Sequence, residues 1–502
     1  MRFNTYLTLG SCASTALSGS VLLSAGTIIA WDEGSQSLNV IRNGSLLVTA
    51  DKIAGLYHEA TPKGLPTDTE IVDCTHKIIS PGFIDTHRHG WQTAMKTLAS
   101  NTTLADYMYR WSSGAAGPFY TVEDVYIGQM AALLEGLNAG VTTTLDHAHS
   151  LWSTDRGVAG LDASIDSGAR VVWAAAISPF EGYSVTEQIK DYKMWRKQKV
   201  EEGGLVTLGI GYDWWDSDNH EDTKAVVKLV ENGEADVLTV HWLGHVWQLE
   251  SPPSLLHSHG VLTTTTPVVF SHGPGITAKE AQILRDTNQF LSITPESEMH
   301  YGHYHEFSHL AQDQAALGVD THFTFSTDLL TQARLWLQRT RSRLFDEVVK
   351  RWEVPRRSPM SVNQAFLLST RQGALALRRP DLGIIAPGAK ADLVVFDGRS
   401  PSMLGWADPV AALILHANVG DIVHVLVDGV FQKRDGKLMY NNYEDVIERL
   451  EKSAEGLRER LLSRPEPEFG TRVLGLGSVY EDHVKDMKVL RGEDSGYGGL
   501  FL

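Results

Sequence analysis

The sequence predicts an α/β protein: a (β/α)8 TIM-like barrel with a small β-sandwich domain formed from N- and C-terminal segments. Two observations lead there. Between Lys77 and Asp328, eight short apolar runs rich in β-branched residues are mostly separated by segments of helical period, the pattern of parallel strands joined by helical crossovers. On either side of that stretch the texture becomes short β runs with Gly- and Asn-bearing turns. Two such flanks pair most simply into one sheet domain.

Residues 1–19 carry a single Arg, but Ser, Thr and Gly dilute the middle that a signal peptide would keep apolar. They are expected to be an N-terminal extension of a cytoplasmic protein. Residues 20–79, with SVLLSAGTIIAW, LNVIRNGSLLVTAD and KIAGLYHE, form the first part of the sandwich domain. Residues 80–380 form the barrel. Its strands are expected in KIISPGFIDTH, VTTTLDH, RVVWAAAIS, LVTLGIGYD, VLTVHW, PVVFSHG, FLSITP and HFTFSTD, with helices such as TVEDVYIGQMAALLEGLNAG between them. Residues 381–440 return to β in IIAPGAKADLVVFDG and DIVHVLVDGVFQKRDGKL and complete the sandwich domain. Residues 441–502 hold a charged surface helix, YEDVIERLEKSAEGLRERLLSR, and an arm expected to reach a second subunit of a homo-oligomer.

Composition excludes several functions. A chain of 502 residues with 42% apolar and 21% charged residues can bury a large core. A net charge of −17, with no basic cluster, argues against nucleic acid as a partner. No apolar run approaches the ~18–20 residues that span a bilayer. Cys12 and Cys74 are too few for a disulfide scaffold or a Cys-based zinc finger, so a metal would need His, Asp or Glu.

The stretch PGFIDTHRHGWQTAMK places His87 and His89 one residue apart where a strand ends, and i, i+2 side chains of a strand share a face. Two converging imidazoles are half of a transition-metal site. A lone H-x-H is also what one core histidine beside one exposed histidine looks like. The other strand ends separate the two readings. His147 ends the second strand, Asp213 the fourth, His241 the fifth, His272 the sixth and Asp328 the eighth, on the face where such barrels carry their active sites.

With PGFIDTHRH and APGAKADLVVFDG, this set resembles the amidohydrolase superfamily and, within it, the triazine-hydrolase and cytosine-deaminase-like branch, over about residues 20–440. The resemblance implies one divalent metal ion per chain, zinc ahead of iron, held by His87, His89, His241 and Asp328. It implies that Asp328 also moves the proton of an activated water, and that His272 polarises the substrate. The lysine that bridges two metals in binuclear members is missing from VTLGIGYDWWD, which leaves Asp213 as a pocket group or alternative ligand. Deaminases of the branch carry a glutamate three residues after the fifth-strand histidine, where this chain has Gly244. In TPESEMHYGHYHE, Glu298 stands where an asparagine is usual, as a surrogate proton shuttle, a substrate anchor or a salt-bridged loop residue. Trp91, Gln92, His300 and His303 are expected to bind substrate.

The expected activity is hydrolysis of a non-peptide C–N bond in a small cyclic amide, amidine or N-heterocycle, with deamination the commonest reaction of the branch. Another leaving group, or a lyase or dehydratase reaction at the same metal, is the alternative. A non-catalytic barrel would be marked by lost ligands, and none is lost.

Overall fold

The computed structural model describes residues 19–465 except 216–219, 245, 246, 248 and 250. All but the last residue of the expected N-terminal extension, and the arm from residue 466, lie outside the described residues.

Two sheets organise the chain. The first has nine strands: β1 (Ser20–Asp32), β2 (Ser37–Thr49), β3 (Lys52–Tyr57), β4 (Glu70–Asp73) and β5 (Lys77–Pro81) from the N-terminal flank. The second has eight: β6 (Phe83–Arg88), β7 (Val141–Ala148), β8 (Arg170–Ala176), β9 (Val206–Gly211), β10 (Leu238–Trp242), β11 (Val268–His272), β12 (Phe290–Ile293) and β13 (Ala315–Leu317). Then β14 (Leu393–Asp397), β15 (Ile422–Val427), β16 (Val430–Arg434) and β17 (Lys437–Leu438) return to the first sheet. The two flanks meet where β14 lies antiparallel to β5, Leu393 opposite Pro81 and Val395 opposite Ile79. Ile28, Leu46, Ile53, Ile79, Leu393 and Leu426 pack the core of this domain.

One apolar run therefore serves both sheets. KIISP belongs to the small domain and FIDTHR to the barrel, with Gly82 as the joint. A Cβ on Gly82 would lie 2.1 Å from Thr142 Oγ1, so only glycine lets β6 enter the barrel against β7 here.

The barrel strands are parallel and follow chain order from β6 to β13. Every residue of β6, β7, β8, β11 and β12 is buried, the continuous burial expected of parallel strands covered on both faces. The eighth strand differs from expectation: it is Ala315–Leu317, and HFTFSTD forms no strand. The ring closes because His87 O accepts from Val319 N at 3.0 Å and Asp320 N at 2.8 Å, just past β13. Asp85 Oδ1 accepts from His87 N and Val319 N across the same seam.

The helix Val122–Asn138 begins with a capping box of Thr121 and Asp124 and packs against β7 and the C-terminal helix. That last helix, Tyr443–Leu462, docks on it through Leu457, Leu461, a Ser453–Asp124 hydrogen bond of 2.6 Å and an Arg449–Glu123 ion pair of 2.8 Å. No described helix is long and apolar enough to cross a membrane.

Candidate active site

His87 and His89 end β6, His241 lies in β10, and Asp320 follows β13. One ligand atom from each meets at the C-terminal mouth of the barrel. Asp320 Oδ1 is 3.3 Å from His87 Nε2 and 3.0 Å from His89 Nε2, and His241 Nε2 is 3.4 Å from His89 Nε2. Donors that share one tetrahedral ion at ~2.0–2.1 Å must stand about 3.3 Å apart, so these edges fit a common ion. The second nitrogen of each ring fixes which one faces inward. His89 Nδ1 donates to His147 O at 2.8 Å, His241 Nδ1 donates to Asp213 Oδ2 at 2.8 Å, and His87 Nδ1 pairs with Ser271 Oγ at 2.8 Å. Such outer partners turn three Nε2 lone pairs toward one point. His87 Nε2 is buried with no hydrogen-bond partner among the described residues, which a metal would explain.

The charge states suit the same purpose. Burial holds the His87 imidazole well below its ordinary pKa. Burial opposes ionisation of Asp320, yet the imidazoles of His87 and His89 hold its carboxyl well below the usual range. Neutral imidazole and ionised carboxylate are the ligand forms. The structure thus provides a site for a divalent metal.

His272 ends β11 with Nε2 4.0 Å from Asp320 Oδ2. His272 and Asp320 have φ of 75° and 64°, left-handed backbone that non-glycine residues seldom adopt. Each costs of order 1–3 kcal/mol, strain that concentrates where a side chain must be aimed. Behind His272, Nδ1 meets Thr294 Oγ1 at 3.0 Å and Glu298 Oε1 at 3.4 Å. Glu298 also contacts His305 Nε2 at 2.8 Å and accepts from Thr294 N at 2.8 Å. Burial opposes its ionisation, but His305 and His272 hold its carboxyl far below the usual range.

Above the ligands lies a cavity of about 440 Å³, within the range that takes a small molecule. Leu104, Tyr107, Leu243, Leu249 and Tyr301 give it apolar walls, and His149, Asp213, His272 and His303 its polar ones. His303 is buried, with neither ring nitrogen hydrogen-bonded among the described residues, and burial pushes its pKa down to about 3.

The sequence-derived assignments fare unevenly. His87, His89, His241, His272 and His303 come together as expected. Asp328 does not: its carboxylate accepts from Thr331 N at 2.7 Å and caps the helix Leu329–Val349, and Asp320 stands in the donor set instead. Taking HFTFSTD as the eighth strand put the strand end at Asp328. The signal for Asp320 was its place after the run AALGV, which lacks the β-branched alternation that marks a strand.

Glu298 is fully buried and lies behind His272, off the cavity wall, so it reaches substrate only through that ring. Trp91 is buried against Tyr120 and Trp152, away from the cavity. Gln92 is buried too and donates to the hydroxyl of Tyr107 at 2.9 Å, so it holds a wall residue and does not face the cavity itself. His300 packs against Tyr301 and Phe325, outside the lining. His149 was missed, although H-A-H at 147–149 repeats the H-x-H signal of 87–89.

Comparison with known proteins agrees with this geometry. The chain is 25% identical over 443 residues to a 5-methylthioadenosine/S-adenosylhomocysteine deaminase of Desulfitobacterium hafniense, covering 83% of this chain and 95% of that protein. It is 23% identical over 445 residues to a 5'-deoxyadenosine deaminase of Methanosarcina mazei, covering 84% and 95%. Among solved structures it resembles the zinc-complexed atrazine chlorohydrolase of Arthrobacter aurescens, with TM-score 0.75, 18% identity and coverage of 86% and 100%. It also resembles a zinc-bound adenosine deaminase from Xanthomonas campestris, with TM-score 0.72, 16% identity and coverage of 88% and 98%. Residues 78–431, which contain all the ligands described above, match the amidohydrolase family, and the chain belongs to it.

Proposed function

We propose that this chain is a hydrolase of a non-peptide C–N bond in a small aminated N-heterocycle, with the catalytic ion at His87, His89, His241 and Asp320. The observation that carries this is the meeting of one ligand atom each from His87, His89, His241 and Asp320 within 4.8 Å of one another, beneath a cavity of small-molecule size. Three nitrogens and one carboxylate suit zinc or iron, and the zinc in the two structural neighbours favours zinc. When bound, the ion activates water and polarises the atom under attack. Asp320, ionised and beside the ligands, takes the proton of the attacking water and returns it to the leaving group. His272 Nε2 faces the same point and stabilises charge on the substrate as it develops. Glu298, behind that ring with Oε1 3.4 Å from Nδ1, holds the imidazole in place. Tyr107, Leu104, Leu249 and Tyr301 exclude water and offer flat apolar faces to a ring.

The relatives named as deaminases of adenine nucleosides favour an aminopurine ring as substrate. A second reading, displacement of another leaving group, is favoured by Gly244. It stands where deaminases carry the glutamate that protonates a ring nitrogen, and its φ of 58° suits glycine. A cytoplasmic location and homo-oligomeric assembly remain expectations of the sequence.

Zinc-replete protein should be given adenine nucleosides, aminopyrimidines and chloro- or alkoxy-triazines, following ammonia, halide and alcohol. Ammonia release that disappears in His87→Ala supports deamination. Halide or alcohol without ammonia selects the second reading. Failure to turn over any of these compounds, in protein that holds its ion, would sink both.

A further inference from the structure

We infer that a second divalent cation site, formed by His147, His149 and Asp213, lies beside the catalytic one. The inference rests on the metal-dependent reading of the first site but uses different residues. His147 ends β7, His149 follows it by two residues, and Asp213 stands two residues past β9. One ligand atom from each, together with one of His241, falls within a 4.8 Å cluster. His147 is fully buried, yet neither of its ring nitrogens has a hydrogen-bond partner among the described residues, and the buried Nδ1 of His149 also lacks one.

Leaving a buried polar atom unpaired is costly, so a ring with two such atoms calls for a partner. His147 Nε2 and Asp213 Oδ2 are 3.5 Å apart, close to the ~3.3 Å separation of two donors on one tetrahedral ion. Room for the ring is built in: a Cβ on Gly211 would stand 2.7 Å from His147 Nε2.

Asp213 links the two sites. Its Oδ1 accepts from His241 N at 2.7 Å and its Oδ2 from His241 Nδ1 at 2.8 Å, so His241 presents Nε2 to the first ion while Asp213 keeps lone pairs for the second. Two imidazoles and one carboxylate select a borderline transition ion of the zinc class over magnesium or calcium. His149 and Asp213 also line the cavity, so an ion held by them would border the substrate space. The missing fourth-strand lysine excludes only the carbamate-bridged pair. It does not bear on a site built from the second strand.

The test is zinc stoichiometry. Chelator-stripped protein is saturated with zinc, freed of excess and analysed for metal, and cobalt(II) absorption is recorded in parallel. Wild type is expected to hold two ions. His149→Gln and His147→Asn should each hold one, with the cobalt band of the first site unchanged. His87→Ala should also hold one, at the second site. One ion in wild type overturns the second site and leaves the first intact. Two ions in wild type and in both His149→Gln and His147→Asn overturn it as well, because the extra ion then binds elsewhere. No loss of ion in His87→Ala sinks the catalytic-site reading instead. Should His147→Asn fail to fold, the half-buried His149 position decides alone.

Discussion

Asp320 and Asp328 stand at two ends of one loop and do unrelated work. Asp320 emerges from the strand that closes the barrel, its backbone N–H on His87 O, which points its carboxylate at the two histidines. Asp328 satisfies backbone and hydroxyl donors of Thr331 at the start of a 21-residue helix. Asp320→Asn should therefore lose the catalytic ion, and turnover should fall by roughly 10²–10³-fold or more. Asp328→Ala should keep ion and kcat, and lower stability by about 1 kcal/mol for the lost cap. Metal analysis and urea midpoints on the two variants check this. The opposite pattern, with the ion lost in Asp328→Ala, would restore the assignment drawn from sequence.

The elements explain which residues could be read and which could not. The first seven barrel strands are legible because strands buried on both faces need runs such as RVVWAAA and VVFSH, and the histidines that end them mark the mouth of the barrel. The eighth strand has only three residues, with two alanines, and offers no such signal. HFTFSTD imitates a strand for another reason: His322 and Phe323 are buried as loop residues, Phe323 against Tyr107 with rings 6.3 Å apart. Apolar residues buried in a packed loop can thus imitate the composition of a strand without its pairing.

Glu298 is a related case. Its position is legible, but its direction is set by the short helix Pro295–His300, which turns it under His272 and away from the cavity. Glu298→Gln should leave metal content and KM unchanged and lower kcat by about tenfold or more, because the amide no longer presents a carboxylate to His272 Nδ1. A rise in KM with kcat unchanged would show that Glu298 meets the substrate after all. Unchanged kinetics would remove it from the mechanism.

At the scale of the whole molecule, the buried histidines make the ion-free protein sensitive to acid. His87, His147, His149, His303 and His322 are all held well below their ordinary pKa, chiefly by burial. Each is neutral when folded and near 6.5 when unfolded, so the stability it protects is present above pH ~6.5 and is lost as pH falls through that value toward the folded pKa. A group in this window changes stability by ~1.4 kcal/mol per pH unit. Burial raises Asp85 to about 6, and also raises Asp146 and Glu296, which works the other way because the native state then binds protons before the unfolded one does. The lowered histidines outnumber the raised carboxyls, so stability falls as pH drops below 6. Acid also relaxes the repulsion of a chain at −17, an opposing effect that 0.15 M salt, with a Debye length of about 8 Å, largely screens. Chelator-treated protein in that salt should therefore show a falling urea midpoint and Tm from pH 7 to pH 5.5. A midpoint that stays level or rises would mean that these rings are protonated in the folded state, and then they could not serve as ready metal ligands.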